Sequence, residues 1–131
     1  MIAKNPISVF NLYEFLPSYG ESSVSIVYID NHLLVEILYD SDVSDTFKKI
    51  TVTFFDVCFF AFSSYPGVKI LNIENEKSDN MGEIIQYTKS EAAEKWSEYL
   101  TFSTSLNHYK VHFLAENKQI EIFSTGFDVK E

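Results

Sequence analysis

ITVTFFDVCFFAF, residues 50–62, is the stretch on which the fold turns. Ten of its thirteen residues are apolar and five are Phe. Side chains alternate across a strand, so Ile50, Val52 and Phe54 share one face, with Thr51, Thr53 and Phe55 on the other. Beyond Asp56 both faces turn apolar: Val57, Phe59 and Ala61 on one, Cys58, Phe60 and Phe62 on the other. A strand apolar on both faces must be covered on both. The stretch therefore reads as one long strand bent near Asp56, or two strands joined there. Its first half is expected to be half-exposed and its second half central. An aspartate inside such a run marks a bulge or bend where the carboxylate reaches water or backbone N–H groups.

The 131-residue chain is expected to form one domain. A chain of this size buries about two-thirds of its unfolded surface and needs no disulfide or metal to fold. Twelve Phe and eight Tyr push the class towards β, because aromatic and β-branched residues suit pleated surfaces. The single cysteine, Cys58, excludes an intrachain disulfide, fits a reducing compartment and reads as an inert buried thiol. The opening MIAKNPISVF lacks the apolar core of a signal peptide. Apolar runs fall short of the ~20 residues of a membrane span. A cytoplasmic, soluble protein is the expectation.

The net charge is −9, and all ten basic residues are Lys. Nucleic-acid and anionic-membrane binding need a positive surface, and phosphate recognition favours bidentate Arg, so neither partner class is expected. Residues 1–47 hold seven acids and one Lys. Such a one-sided field steers a basic partner, or simply keeps an apolar β-protein soluble. Asp40, Asp42 and Asp45 concentrate three acids within six residues and are the candidate binding surface. A calcium loop fails here: its glycine and terminal glutamate positions are occupied by Asp45 and Thr51.

Elsewhere, Asn5-Pro6 looks like the start of a helix carrying Val9, Leu12, Tyr13 and Leu16, although Val9-Phe10 and Leu12-Tyr13 also suit a strand. Val24, Ile26 and Tyr28, then Leu33, Val35, Ile37 and Tyr39, flank Asp30-Asn31-His32 and predict a hairpin, with His32 a solvated turn residue. Ser63-Ser64-Tyr65-Pro66-Gly67 signals a turn, Val68, Ile70 and Ile73 a short strand, and Ile84, Ile85 and Tyr87 another. Thr88 with Glu91 makes a capping box for a helix at about 89–100. That helix places Ala92, Trp96, Tyr99 and Leu100 on one face, with Trp96 packed on the sheet. Finally, Tyr109, Val111 and Phe113 alternate with Lys110, His112 and Leu114. They turn at Glu116-Asn117-Lys118 into Ile120 and Ile122, with a break at Gly126.

Chemistry is harder to find. On a strand His108 and His112 share a face but sit roughly 13 Å apart, too far to share an ion. There is no G-x-S-x-G elbow and no glycine-rich phosphate loop. No metal, cofactor or catalytic residue is expected.

Lys95-Trp96-Ser97-Glu98-Tyr99-Leu100 is similar to a Ser-Glu-aromatic-Leu element. His108-Tyr109-Lys110-Val111, followed by Ile120-Glu121-Ile122-Phe123, is similar to a closing His-Tyr hairpin, and residues 49–57 to an apolar-T-F-x-x-V strand. Together they resemble a group of small bacterial cytoplasmic β-proteins, some relatives of which resemble immunity proteins of bacterial toxin systems. Tyr99 stands where Trp is more usual in that group. The resemblance implies no catalytic residues.

The expected fold is mainly β, or α+β: an antiparallel sheet of six to eight strands forming a sandwich or partial barrel. One helix near 89–100 packs on it, with a short N-terminal helix as a further element. Three functions compete. The first is a non-enzymatic interaction module, an immunity protein against a basic toxin. The second is a ligand-binding or enzymatic barrel-like domain. The third is a structural homo-oligomer, with the chain itself as partner.

Overall fold

A computed structural model describes residues 2–41, 46–64, 72–73, 82–99, 105–113, 115 and 117–131. The strands are β1 (Ile2–Asn11), β2 (Ser23–Ile29), β3 (His32–Asp40), β4 (Phe47–Phe55), β5 (Phe59–Ser64), β6 (Asn72–Ile73), β7 (Glu83–Ser90), β8 (Asn107–Phe113), β9 (Lys118–Ser124) and β10 (Gly126–Lys130). Among the described residues one α-helix, α1, spans Glu91–Tyr99. The strands form a six-stranded sheet, ordered β5-β9-β8-β7-β1-β6, and a four-stranded sheet, ordered β10-β4-β3-β2. Pairing is antiparallel except for the two-residue contact of β6 with β1. The result is an open sandwich of the mainly β, antiparallel kind that the alternation indicates.

The core fills the space between the two inner faces. Leu33, Val35 and Ile37 of β3 and Ile50, Val52 and Phe54 of β4 meet Tyr109, Val111 and Phe113 of β8 and Ile120 and Ile122 of β9. Phe54 touches the rings of both Tyr109 and Phe127, at centroid distances of 5.6 and 5.9 Å.

Residues 50–62 do split at Asp56, and the two halves enter different sheets. Asp56 is exposed and takes a left-handed φ of 48°, a conformation that Asp tolerates better than most residues. The chain bends there in step with a second crossing. Cys58 N–H donates to the Phe123 carbonyl at 3.1 Å, and Thr125 N–H donates to the Phe55 carbonyl at 3.0 Å. Thus β4–β5 and β9–β10 cross together as a two-stranded ribbon.

The first half is half-exposed as expected, with Ile50, Val52 and Phe54 buried and Thr51, Thr53 and Phe55 partly exposed, but the second half is not central. β4 is interior to its sheet, whereas among the described residues β5 is an edge strand. The inner-face residues of β5, Phe60 and Phe62, stay exposed at the rim of the sandwich, opposite Ile122 and Ile120. Apolarity on both faces here reflects a rim position and not a central one.

The expected N-terminal helix is strand β1, which pairs along β7. A register shift between Ser8 and Phe10 breaks the twofold alternation, so the apolar spacing imitates a helix. Only Leu12–Glu14 coils, as a single 3-10 turn capped by the Asn11 side chain. The hairpin turn is tight, with Asp30 and Asn31 both at positive φ. His32 is not merely solvated: its Nδ1 accepts the Asp56 N–H at 3.3 Å and its ring stands edge-on to Phe55.

Helix α1 begins later than the Thr88 box implies. Thr88 belongs to β7, and Ser90 is the cap, its Oγ accepting the Ala93 N–H at 3.3 Å. Ala92 and Ala93 make the buried face, while Trp96 is 39% exposed and Tyr99 projects into solvent, contrary to their expected packing. Tyr65-Pro66-Gly67, Val68, Ile70, Leu100, Leu114 and Glu116 lie outside the described residues.

Candidate functional site

Of the three acids nominated by sequence, Asp40 ends β3 and is exposed, whereas Asp42 and Asp45 lie outside the described residues. Asp40 sits opposite Phe47, the first residue of β4. Its Oδ2 accepts the Tyr19 hydroxyl at 3.3 Å. Two residues back on the same face is Leu38, itself exposed. Phe47 is 63% exposed and Tyr19 57%. Two aromatic rings and a leucine therefore surround a carboxylate at one end of the smaller sheet. Lys49, opposite Leu38, faces Glu36 at 3.9 Å, so part of its charge is met locally. Phe47 escaped the sequence reading because it precedes the apolar run; only its place opposite Asp40 reveals it.

A second feature concerns the sheet edges. A free edge invites pairing, and proteins blunt it with Lys, Pro, bulges or short strands. β10 carries Asp128 and Lys130. β1, beyond its short contact with β6, carries Lys4, Pro6 and the Ser8/Phe10 shift. β2, SVSIVYI, and β5, FFAFSS, carry no charge and no proline. These two unguarded edges meet where the rings of Tyr28 and Phe60 approach to 5.6 Å. Tyr28 also donates its hydroxyl to the Val57 carbonyl at 3.4 Å.

A third feature is a buried polar array on the outer face of the larger sheet. His108, Lys110 and His112 alternate with the core residues of β8, yet all three are buried. Ser90 Oγ lies 2.8 Å from His108 Nδ1, and His108 Nε2 lies 2.5 Å from Glu121 Oε2. Lys110 Nζ approaches Glu121 Oε1 at 3.6 Å. Alongside, His112 Nε2 contacts Gln119, whose amide donates to Ser63.

Serine, imidazole and carboxylate in series have the connectivity of an acyl-transfer relay. The structure uses them otherwise. Ser90 Oγ is already the helix cap, both Ser90 and His108 are buried, and every buried side-chain nitrogen and oxygen among the described residues has a partner. The adjoining cleft is about 190 Å³, lined by Lys4, Lys89, Ser90, Glu91 and Glu94. That is charged and small beside the apolar pockets of ~300 Å³ or more that hold ligands. The array is a tie that holds the start of α1 to β8 and β9.

Cys58 is half-buried, and desolvation pushes its thiol up to about 11, away from the range of a reactive thiolate. No group of three or more His, Cys, Asp or Glu among the described residues is placed to hold a metal ion. No helix among them is long and apolar enough to cross a membrane. Comparison with known proteins returns no matching family model, no matching curated relative and no matching solved structure.

Proposed function

We propose that this chain is a non-enzymatic protein-interaction module that covers a basic partner protein, as an immunity protein covers a toxin. The observation that carries the reading is the exposed Phe47 ring set in register against Asp40, with Tyr19 and Leu38 beside it. Protein interfaces draw most of their energy from a few aromatic anchors at a desolvated centre. Charges around such a centre set the encounter rate and the choice of partner. A net charge of −9 with no Arg favours a partner of opposite sign. The segment joining Asp40 to Phe47 adds Asp42 and Asp45 to the same stretch of chain. The 95–100 and 108–123 segments resemble a group of small bacterial β-proteins, some relatives of which resemble immunity proteins, and this points the same way.

The test uses matched baits in affinity isolation from the native cell: wild type, Asp40→Lys and Phe47→Ser. Wild type is expected to retain one stoichiometric protein of high isoelectric point at low salt and to lose it at high salt, since exposed charge pairs are screened. Asp40→Lys is expected to slow its association about tenfold, and Phe47→Ser to weaken it at least as much. Equal recovery of the partner by all three baits, or recovery of wild type alone, overturns the reading.

A further inference from the structure

The unguarded edge of the smaller sheet has chemistry unlike that of the Asp40 surface, and it lies at the other end of β3. Ile29 of β2 is opposite His32, whereas Leu38 is opposite Ser23. We propose that residues 25–29 of β2 are a template for strand addition. The strand they take is β2 of a second copy, joining two four-stranded sheets into one continuous sheet.

Three observations support the edge itself. Val27, Tyr28 and Ile29 are 45%, 48% and 54% exposed. Because successive residues point to opposite faces, apolar surface lies on both sides of the strand, where an added strand covers both at once. Among the described residues, residues 25–29 of β2 pair with β3 alone. In a chain of which 22% is charged, β2 has no charged residue, no Pro and no Gly, whereas β1 and β10 carry the usual deterrents.

The occupant follows from charge. A basic partner needs acids to meet its cations, and residues 25–29 and β5 provide none. Two copies of a −9 chain repel wherever acids face acids, so they approach best along an uncharged strip. Antiparallel pairing of a strand with its own copy is self-complementary about a twofold axis, the commonest symmetry of soluble oligomers. Two valines, two isoleucines and a tyrosine among its seven residues also give β2 high strand propensity as the incoming element. Phe60, exposed beside Tyr28, and Phe62, exposed two residues further along β5, extend the apolar strip that the second copy shields.

The test is molar mass by sedimentation equilibrium from about 1 to about 500 µM, a span that covers the weaker self-associations of this interface class. Wild type is expected to pass from monomer to dimer and no further. Val27→Lys adds the natural guard at an exposed position and is expected to weaken self-association at least ~10-fold while far-UV circular dichroism is unchanged. Ser25→Lys, on the same face and exposed, is expected to do the same and serves if the first variant misfolds. A wild type that stays monomeric at the highest concentration, or a folded lysine variant that dimerises like wild type, overturns the proposal.

Discussion

The outer faces of the two sheets are opposites. On the larger sheet the outer face of β8 and β9 carries His108, Lys110, His112, Gln119 and the largely buried Glu121 beside Phe123 and, on β7, Ile85 and Tyr87, and it is buried. On the smaller sheet the outer face sets Val27, Ile29, Leu38 and Phe47 among Ser25, Glu36, Asp40 and Lys49, and those four apolar side chains are open to solvent. Composition alone assigns these faces the other way round. Alternation separates two faces of a strand, but whether the second face is wet depends on a third layer that the strand's own sequence does not encode. Where that layer is present, polar groups must find partners inside, and they do. Where it is absent, apolar groups remain exposed, and it is on such groups that the two proposed contact surfaces rest.

The largest expected effect tests the covered face. Glu121 is the carboxylate shared by His108 and Lys110, with a side chain only 14% exposed. Glu121→Ala leaves a buried lysine without that carboxylate and a histidine without its orienting partner. The expected loss is about 3 kcal/mol in chemical denaturation, the scale for removing one member of a buried pair. Glu121→Gln, which keeps a hydrogen-bond acceptor, is expected to lose less. If Glu121→Ala unfolds at the wild-type midpoint, the covered face is wetter than its burial indicates, and the contrast between the faces fails.

Much of the architecture was legible in the residues. The Asp56 bend, the Asp30-Asn31 turn, the hairpin of β8 and β9 and the break at Gly126 each have a local signature that tertiary contacts do not override. Legibility stopped where local signals were ambiguous or position was set from afar. The bulge in β1 disguised a strand as a helix, and Ser90, not Thr88, turned out to be the cap because β7 runs on through Thr88. Phe60 and Phe62 looked central although they lie on an edge, because an edge differs from a centre only in what pairs beyond it. For the site, Asp40 stands out in the sequence as part of an acidic run, whereas nothing in the neighbourhoods of Phe47 and Tyr19 shows that they share its end of the sheet. The Ser90–His108–Glu121 chain joins residues 18 and 13 positions apart and has no sequence motif.

A middle-sized effect asks whether the tie or the cap holds α1. Ser90 serves both, accepting from Ala93 and contacting His108. Ser90→Ala removes both contacts and is expected to cost about 1–2 kcal/mol, the cap supplying roughly half. Ser90→Gly removes the same side chain, and glycine caps within a few tenths of a kcal/mol of serine, so this variant separates the terms. Stability near wild type in Ser90→Gly assigns the energy to the cap. A loss equal to that of Ser90→Ala assigns it to His108 and makes the polar array the true fastening of the helix.

The smallest expected effect on stability belongs to the open face, and its smallness is what gives it meaning. Phe47 makes its cross-strand pair with Asp40 at the end of the sheet and leaves most of its ring in water. Removing a ring that is already wet forfeits little burial, so Phe47→Ser is expected to shift the unfolding free energy by no more than ~0.5 kcal/mol, the usual range for surface substitutions. A buried Phe lost in the same way, such as Phe54, costs about 3–5 kcal/mol because a cavity opens. A side chain whose loss barely touches folding, yet which holds a large apolar surface out beside a carboxylate, fits the proposed role in association. Denaturant midpoints for Phe47→Ser and Phe54→Ser, measured side by side, decide this. If the Phe47 variant falls nearly as far as the Phe54 variant, its ring is part of the core, and the Asp40 surface has lost its anchor.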